Sequence, residues 1–169
     1  MFPDIDDWFA CFRSTPYDKV KVVILGLQPT PFLSPHGKLP LSNGLAYGNH
    51  QLPMNGFQHE ADKITNCVER DLHNGLNFNK DNSMKEWANQ GVLMLNCSLT
   101  SVREKKGLHL KPWEKFIKFV IQTLNDNNSG IVFCLWGKDL QQIRPFINEK
   151  AHYVLTTDIS PTDAVRQNV

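Results

Sequence analysis

The chain predicts an α/β fold: an open parallel four-stranded sheet with helices on both faces. Three observations carry this expectation. Short apolar runs alternate with stretches of helical periodicity along the chain. The first run, VKVVIL at 20–25, is a nearly continuous β-branched string, as in a strand buried on both faces of a parallel sheet. Strict alternation of strand and helix implies right-handed crossovers that place helices on either side of one sheet.

Taken in order, residues 4–12 follow Pro3, carry acidic residues in a first turn and set Ile5, Trp8, Phe9 and Phe12 on one face, which predicts a short helix. The strand at 20–25 ends at Gly26. From 26 to 56 the prolines Pro29, Pro31, Pro35, Pro40 and Pro53 forbid regular helix, and a loop this long inside a compact domain is usually functional. Phe57, Ala61, Ile64, Val68 and Leu72 recur at helical spacing, with Asn74-Gly75 as the stop signal. A second short helix is expected over 83–90, with Ser83 and Glu86 in capping-box register. Then follow a strand at 92–95, a helix at 112–124, a strand at 131–136, a helix at 140–147 and a strand at 153–155. Open parallel sheets bind ligands beyond the carboxyl ends of their strands. The segments after Leu25, Leu95, Trp136 and Leu155 are therefore the ones to inspect.

With 169 residues, 41% of them hydrophobic and 21% charged, the chain can build one substantial core, so a single domain over 1–169 is expected. Its formal net charge of +1 means that any affinity for nucleic acid must come from a local basic face. Cys11, Cys67, Cys97 and Cys134 lack CxxC spacing and lie in apolar or helical stretches, which reads as buried thiols in a reducing compartment, with no metal site. No run approaches the roughly 18 apolar residues of a membrane span, and the acidic N-terminus does not resemble a signal peptide. An intracellular protein, cytoplasmic or nuclear, without a membrane partner, is expected.

Several segments, in chain order, resemble the family-1 uracil-DNA glycosylases. KVVILGLQPTPF resembles the strand end that reads GQDPYH in that family, and NGLAYGN resembles its GLAF or GLCF segment. EWANQGVLMLNCSLTSV is similar to WAxQGVLLLNxxLTV, and PWEKFIKFVI to GWExFTDxVI. IVFCLWGKDLQQIRPFI resembles VFLLWGxxAQxKxxxI, and YVLTTDISPTDA stands in place of VLxxxHPSPLSA. The resemblance covers nearly the whole chain and implies a uracil-DNA glycosylase-like domain with no cofactor. The family's N-terminal extension and last helix have no counterpart in it, so apolar surface is expected that either a consistently trimmed fold or another chain accounts for.

By the resemblance, Asn96 matches the asparagine that tells uracil from cytosine, an amide offering both donor and acceptor to an extruded base. On its own it would read as a polar cap of a strand. Tyr47 matches the phenylalanine that stacks on the base, where a stacked aromatic contributes about 1 to 3 kcal/mol; otherwise it is an ordinary core aromatic. Pro29 and Thr30 fall beside the base. Thr30 replaces the tyrosine that shields the 5-position and Pro31 replaces the histidine after it, either as drift or to admit a bulkier base.

The catalytic positions differ from the family. Gln28 stands where the family has the aspartate that orients water and offsets charge on the sugar, and Asp158 where it has the histidine that meets the departing anionic base. Each exchange changes a charge–charge interaction of about 4 kcal/mol at contact distance and an effective dielectric of about 20, or roughly a thousandfold in rate. Thr162 takes the place of the leucine that wedges into the gap left by the flipped base, and fills it poorly. Ser160-Pro161 persists from the turns that pinch the DNA backbone, though Ser-Pro is also a common turn.

The stretch 103–118 carries Arg103, Lys105, Lys106, Lys111, Lys115 and Lys118 against Glu104 and Glu114, either a DNA-facing surface or a solvated helix face. His109 lies near the family's Ser-His pair, but its spacing to Trp113 is one residue short, so no role is carried over. Three functions remain open: a DNA-binding protein, on single or double strands, that reads an extruded pyrimidine with uracil excision weak or lost; an active glycosylase of altered specificity; or a module or decoy for an acidic DNA-mimic protein inhibitor. A monomer is expected, with a homodimer as the alternative.

Overall fold

The computed structural model describes residues 1–34, 37–50, 60–71 and 82–161. Its strands are β1 (Val22–Gly26), β2 (Val92–Asn96), β3 (Val132–Trp136) and β4 (Tyr153–Thr157). They form one parallel sheet in the order β2-β1-β3-β4. The expected α/β architecture is therefore present. Successive side chains of a strand point to opposite faces, and both faces are covered. Val23, Leu25, Leu93, Leu95, Phe133 and Leu135 pack with Cys11, Ile117, Ile121 and Leu124 on one side. Ile24, Met94 and Cys134 pack with Ala61, Ile64, Met84 and Ala88 on the other. The helices responsible are α1 (Ala10–Ser14) and α4 (Leu110–Asn127) on the first face, and α2 (Glu60–Asp71) and α3 (Lys85–Asn89) on the second. The short α5 (Lys138–Gln141) joins the first face through Leu140.

Several boundaries differ from the sequence expectation for local reasons. The N-terminal helix splits into a 3-10 turn, Ile5–Asp7, and α1. Gly44, at φ +82°, packs so closely on the carbonyl of Asp7 that a Cβ there would collide with it. The capping box at Ser83 and Glu86 does not form: Met84 takes a left-handed φ of 59° and Ser83 Oγ accepts from Lys85 N–H at 3.2 Å. The helix expected over 140–147 breaks into α5 and a 3-10 turn, Arg144–Phe146, because Pro145 supplies no N–H. By contrast, α4 runs past both expected ends, with Pro112 tolerated in its first turn. Phe57, Leu72 and the Asn74-Gly75 stop lie outside the described residues, as do Pro35 and Pro53.

None of the four cysteines is paired, but they are not all buried: Cys67 is exposed on α2, whose outer face meets solvent there. Burial pushes the thiols of Cys11 and Cys97 up to about 12 and that of Cys134 to about 11. Among the described residues no helix is long and apolar enough to cross a membrane.

Candidate functional site

The carboxyl ends of the strands converge on a cavity of about 380 Å³ lined by Gly26, Tyr47, Asn96, Trp136 and Asp158 among others. Its floor follows from strand register. Gly26 and Asn96 are partners at the ends of β1 and β2. Asn96 is only 2% exposed, and its Oδ1 lies over Gly26 so closely that no Cβ fits between them. The Asn96 amide makes no hydrogen bond to another described residue, although it lines the cavity. A buried amide left unpaired inside the protein is costly, so its donor and acceptor are available to whatever occupies the space.

The loop after β1 returns to the sheet through Ala46 N–H, which donates to Met94 O at 2.9 Å. This brings Tyr47 to the cavity, half-buried, at φ +62°. For a non-glycine residue the left-handed region is strained. Tyr47 is held there from its far end: the hydroxyl donates to Leu25 O at 3.0 Å, and the ring lies 6.1 Å from that of Trp136 at 38°.

Gln28 lines the same cavity, but its side chain is committed. Its Oε1 accepts the N–H of Gly107 at 2.7 Å. The rest of the segment is similarly tied: Cys97 N–H donates to Gly26 O (2.8 Å), Ser98 N–H to Leu27 O (3.0 Å) and Ser101 Oγ to Pro29 O (2.7 Å). Thr30 Oγ1 donates to Glu60 Oε2 at 3.2 Å, and both residues line the cavity. Asp158 is exposed at the rim, its carboxylate unbonded to any other described residue. Ser160 lies beside it, its Cβ 2.8 Å from where a Cβ on Gly137 would sit, and Pro161 is buried. Thr162 lies outside the described residues.

Of the basic stretch, Arg103 and Lys106 line the cavity, whereas Lys105 and Lys111 do not. Lys111 bonds Glu114 at 2.6 Å, and Lys118 bonds the same carboxylate at 2.8 Å. These hydrogen bonds hold the Glu114 carboxyl down at about 2. His109 is engaged inward: Trp113 Nε1 donates to Thr100 Oγ1 at 2.8 Å, and Thr100 Oγ1 lies 2.8 Å from His109 Nδ1. With its lone pair taken by Trp113, the threonine directs its own proton to Nδ1, which leaves the neutral imidazole proton on Nε2.

The sequence reading missed Glu60, Trp136, Lys138 and Asp139, all of which line the cavity. Glu60 looks like an ordinary acidic residue in the first turn of a helix, and only its long-range bond to Thr30 distinguishes it. The rim therefore mixes Arg103, Lys106 and Lys138 with Glu60, Asp139 and Asp158, around a floor of neutral amides and aromatic rings. Such a floor can read the edge and face of a flat heterocycle. It supplies no charge beneath it.

No family model matches the chain. The uracil-DNA glycosylase of Agathobacter rectalis is 32% identical over 170 aligned residues, taking in 98% of this chain and 71% of its own length. That of Vibrio campbellii is 35% identical over 159 residues, 92% of this chain and 66% of its own length. Among solved structures, mimivirus uracil-DNA glycosylase superposes with a TM-score of 0.79 at 27% identity, covering 92% of this chain and 55% of that one. A variant of mimivirus UNG in complex with UGI gives a TM-score of 0.78 at 27% identity, covering 93% and 56%. The chain thus spans 71% of the first relative but little more than half of the mimivirus chain.

Proposed function

The chain belongs to the uracil-DNA glycosylase family, and on that premise we propose that it binds DNA and reads an extruded pyrimidine in the cavity at the strand ends, with conventional uracil excision weak or lost. The observation that carries this reading is Asn96: buried, aimed into the cavity and without an internal hydrogen bond. Beside it, Tyr47 and Trp136 supply an aromatic wall on which a base can stack.

The chemistry of bond cleavage is poorly served. Breaking the glycosidic bond places positive charge on the sugar and negative charge on the base. Gln28 offers no negative charge, and its acceptor oxygen is already used by Gly107. An ionised Asp158 at the rim repels the departing base rather than holding it. Together these exchanges turn the local charge pattern around. Arg103, Lys106 and Lys138 supply cations for phosphate, and Ser160 adds a hydroxyl.

A uracil-containing oligonucleotide tests the reading. Single-stranded DNA with one uracil is expected to bind in a salt-dependent manner, with the preference over unmodified DNA lost in Asn96→Ala and with little abasic product. Absence of binding at low salt rejects the proposal. Gln28→Asp combined with Asp158→His is expected to raise uracil excision; binding with no gain in excision would locate the obstacle in the shape of the groove.

Altered specificity is a second reading, favoured by Thr30, whose small side chain is drawn toward Glu60. Rapid release of a modified base that depends on Asn96 would establish it. A third partner class is an acidic DNA-mimic protein, since a mimivirus UNG variant is solved with UGI. Its binding in competition with DNA would place it on the same face.

A further inference from the structure

The Thr30–Glu60 pair gives one side of the cavity a chemical sign. Thr30 has a single hydroxyl proton and donates it to Glu60 Oε2 at 3.2 Å. Its hydroxyl oxygen therefore has only lone pairs left to offer. Glu60, when ionised, also offers only acceptors. Pro29 and Pro31 on either side of Thr30 have no N–H, and their carbonyls already take hydrogen bonds from Ser101 Oγ at 2.7 Å and Arg103 Nε at 3.5 Å. The side chains on this stretch of wall thus present acceptors to any ligand. Asn96, at the floor, presents both a donor and an acceptor.

We infer that Glu60, oriented by Thr30, is a specificity-determining residue of the cavity, selecting an extruded base that turns an O–H or N–H donor toward it. The inference rests on the base-reading function proposed above and names its substrate class. A carbonyl facing the pair meets lone pairs and a negative charge. A methyl group gains nothing from them. A hydroxymethyl or aminomethyl substituent, or an exocyclic amine, donates to a charged acceptor, among the stronger hydrogen bonds available to a ligand. Glu60 acts here as a binding group and takes no part in bond cleavage.

The test uses the whole chain and oligonucleotides that differ at one base: uracil, thymine, 5-hydroxymethyluracil, 5-aminomethyluracil or cytosine. Thymine and 5-hydroxymethyluracil differ by one hydroxyl, so their ratio of dissociation constants isolates the donor. The wild-type protein is expected to bind the hydroxymethyl base about tenfold more tightly than thymine, as for a hydrogen bond to a charged group. The preference should shrink in Glu60→Gln and vanish in Glu60→Leu, while Asn96→Ala weakens all bases together. Preference for cytosine instead identifies the donor as the ring's own amine and supports the same role for Glu60. Equal binding of thymine and all donor-bearing bases, with Asn96→Ala still harmful, overturns the role of Glu60 and leaves base reading intact. Indifference to both Asn96→Ala and base identity overturns both. The wild-type comparison requires no variant, so a folding defect at Glu60 cannot mask the result.

Discussion

The loop leaving β1 and the turn leaving β4 end at the same cavity, yet they are built differently. After β1, residues 26–31 are bonded to the segment after β2 almost residue by residue, through Cys97, Ser98, Ser101, Arg103 and Gly107. After β4, Thr157 O accepts from Gly137 N–H at 2.9 Å and Thr157 Oγ1 donates to Ile159 O at 2.8 Å, but Asp158 stands exposed. The two residues that depart from the family's catalytic pattern are thus unlike. Gln28 has become part of the framework that holds its loop, whereas Asp158 is carried on the framework. One exchange is coupled to folding and the other is not.

The comparison can be pressed hardest at the base of the β1 loop. Gly26→Ala would drive a Cβ into Asn96 Oδ1 and to within 2.9 Å of the Cβ of Ala46. A stability loss of about 1–3 kcal/mol is expected, with loss of base discrimination; urea unfolding with the same midpoint as wild type would show the floor to be pliable. Next in size is Gln28→Ala, which leaves Gly107 N–H without its partner and should cost about 1 kcal/mol. Smallest is Asp158→Ala, expected to stay within about 0.5 kcal/mol of wild type. If the Gln28 and Asp158 variants unfold at the same urea concentration, the contrast between the two loops fails.

The same contrast explains what could be read from the sequence. β1 to β4 were legible because parallel strands buried on both faces are written as short continuous apolar runs, and the strand ends then marked where a ligand cavity would lie. Asn96 and Tyr47 were visible because they sit in short contiguous motifs. The bond between Gln28 and Gly107 joins residues 79 apart, and that between Thr30 and Glu60 joins residues 30 apart. No local periodicity encodes such pairs, so Gln28 reads as an open amide and Glu60 as a helix-end acid until the chain is folded. The split first helix has a similar cause, since Gly44, far along the chain, presses on the carbonyl of Asp7.

Tyr47 stands where the resemblance has phenylalanine, and its hydroxyl might be expected to add a polar group to an otherwise greasy wall. The bond from that hydroxyl to Leu25 O sends the proton back into the backbone of β1. A visiting ring therefore meets the flat of the tyrosine much as it would meet a phenylalanine, while the oxygen serves as a peg that fixes the tilt of that surface before anything arrives.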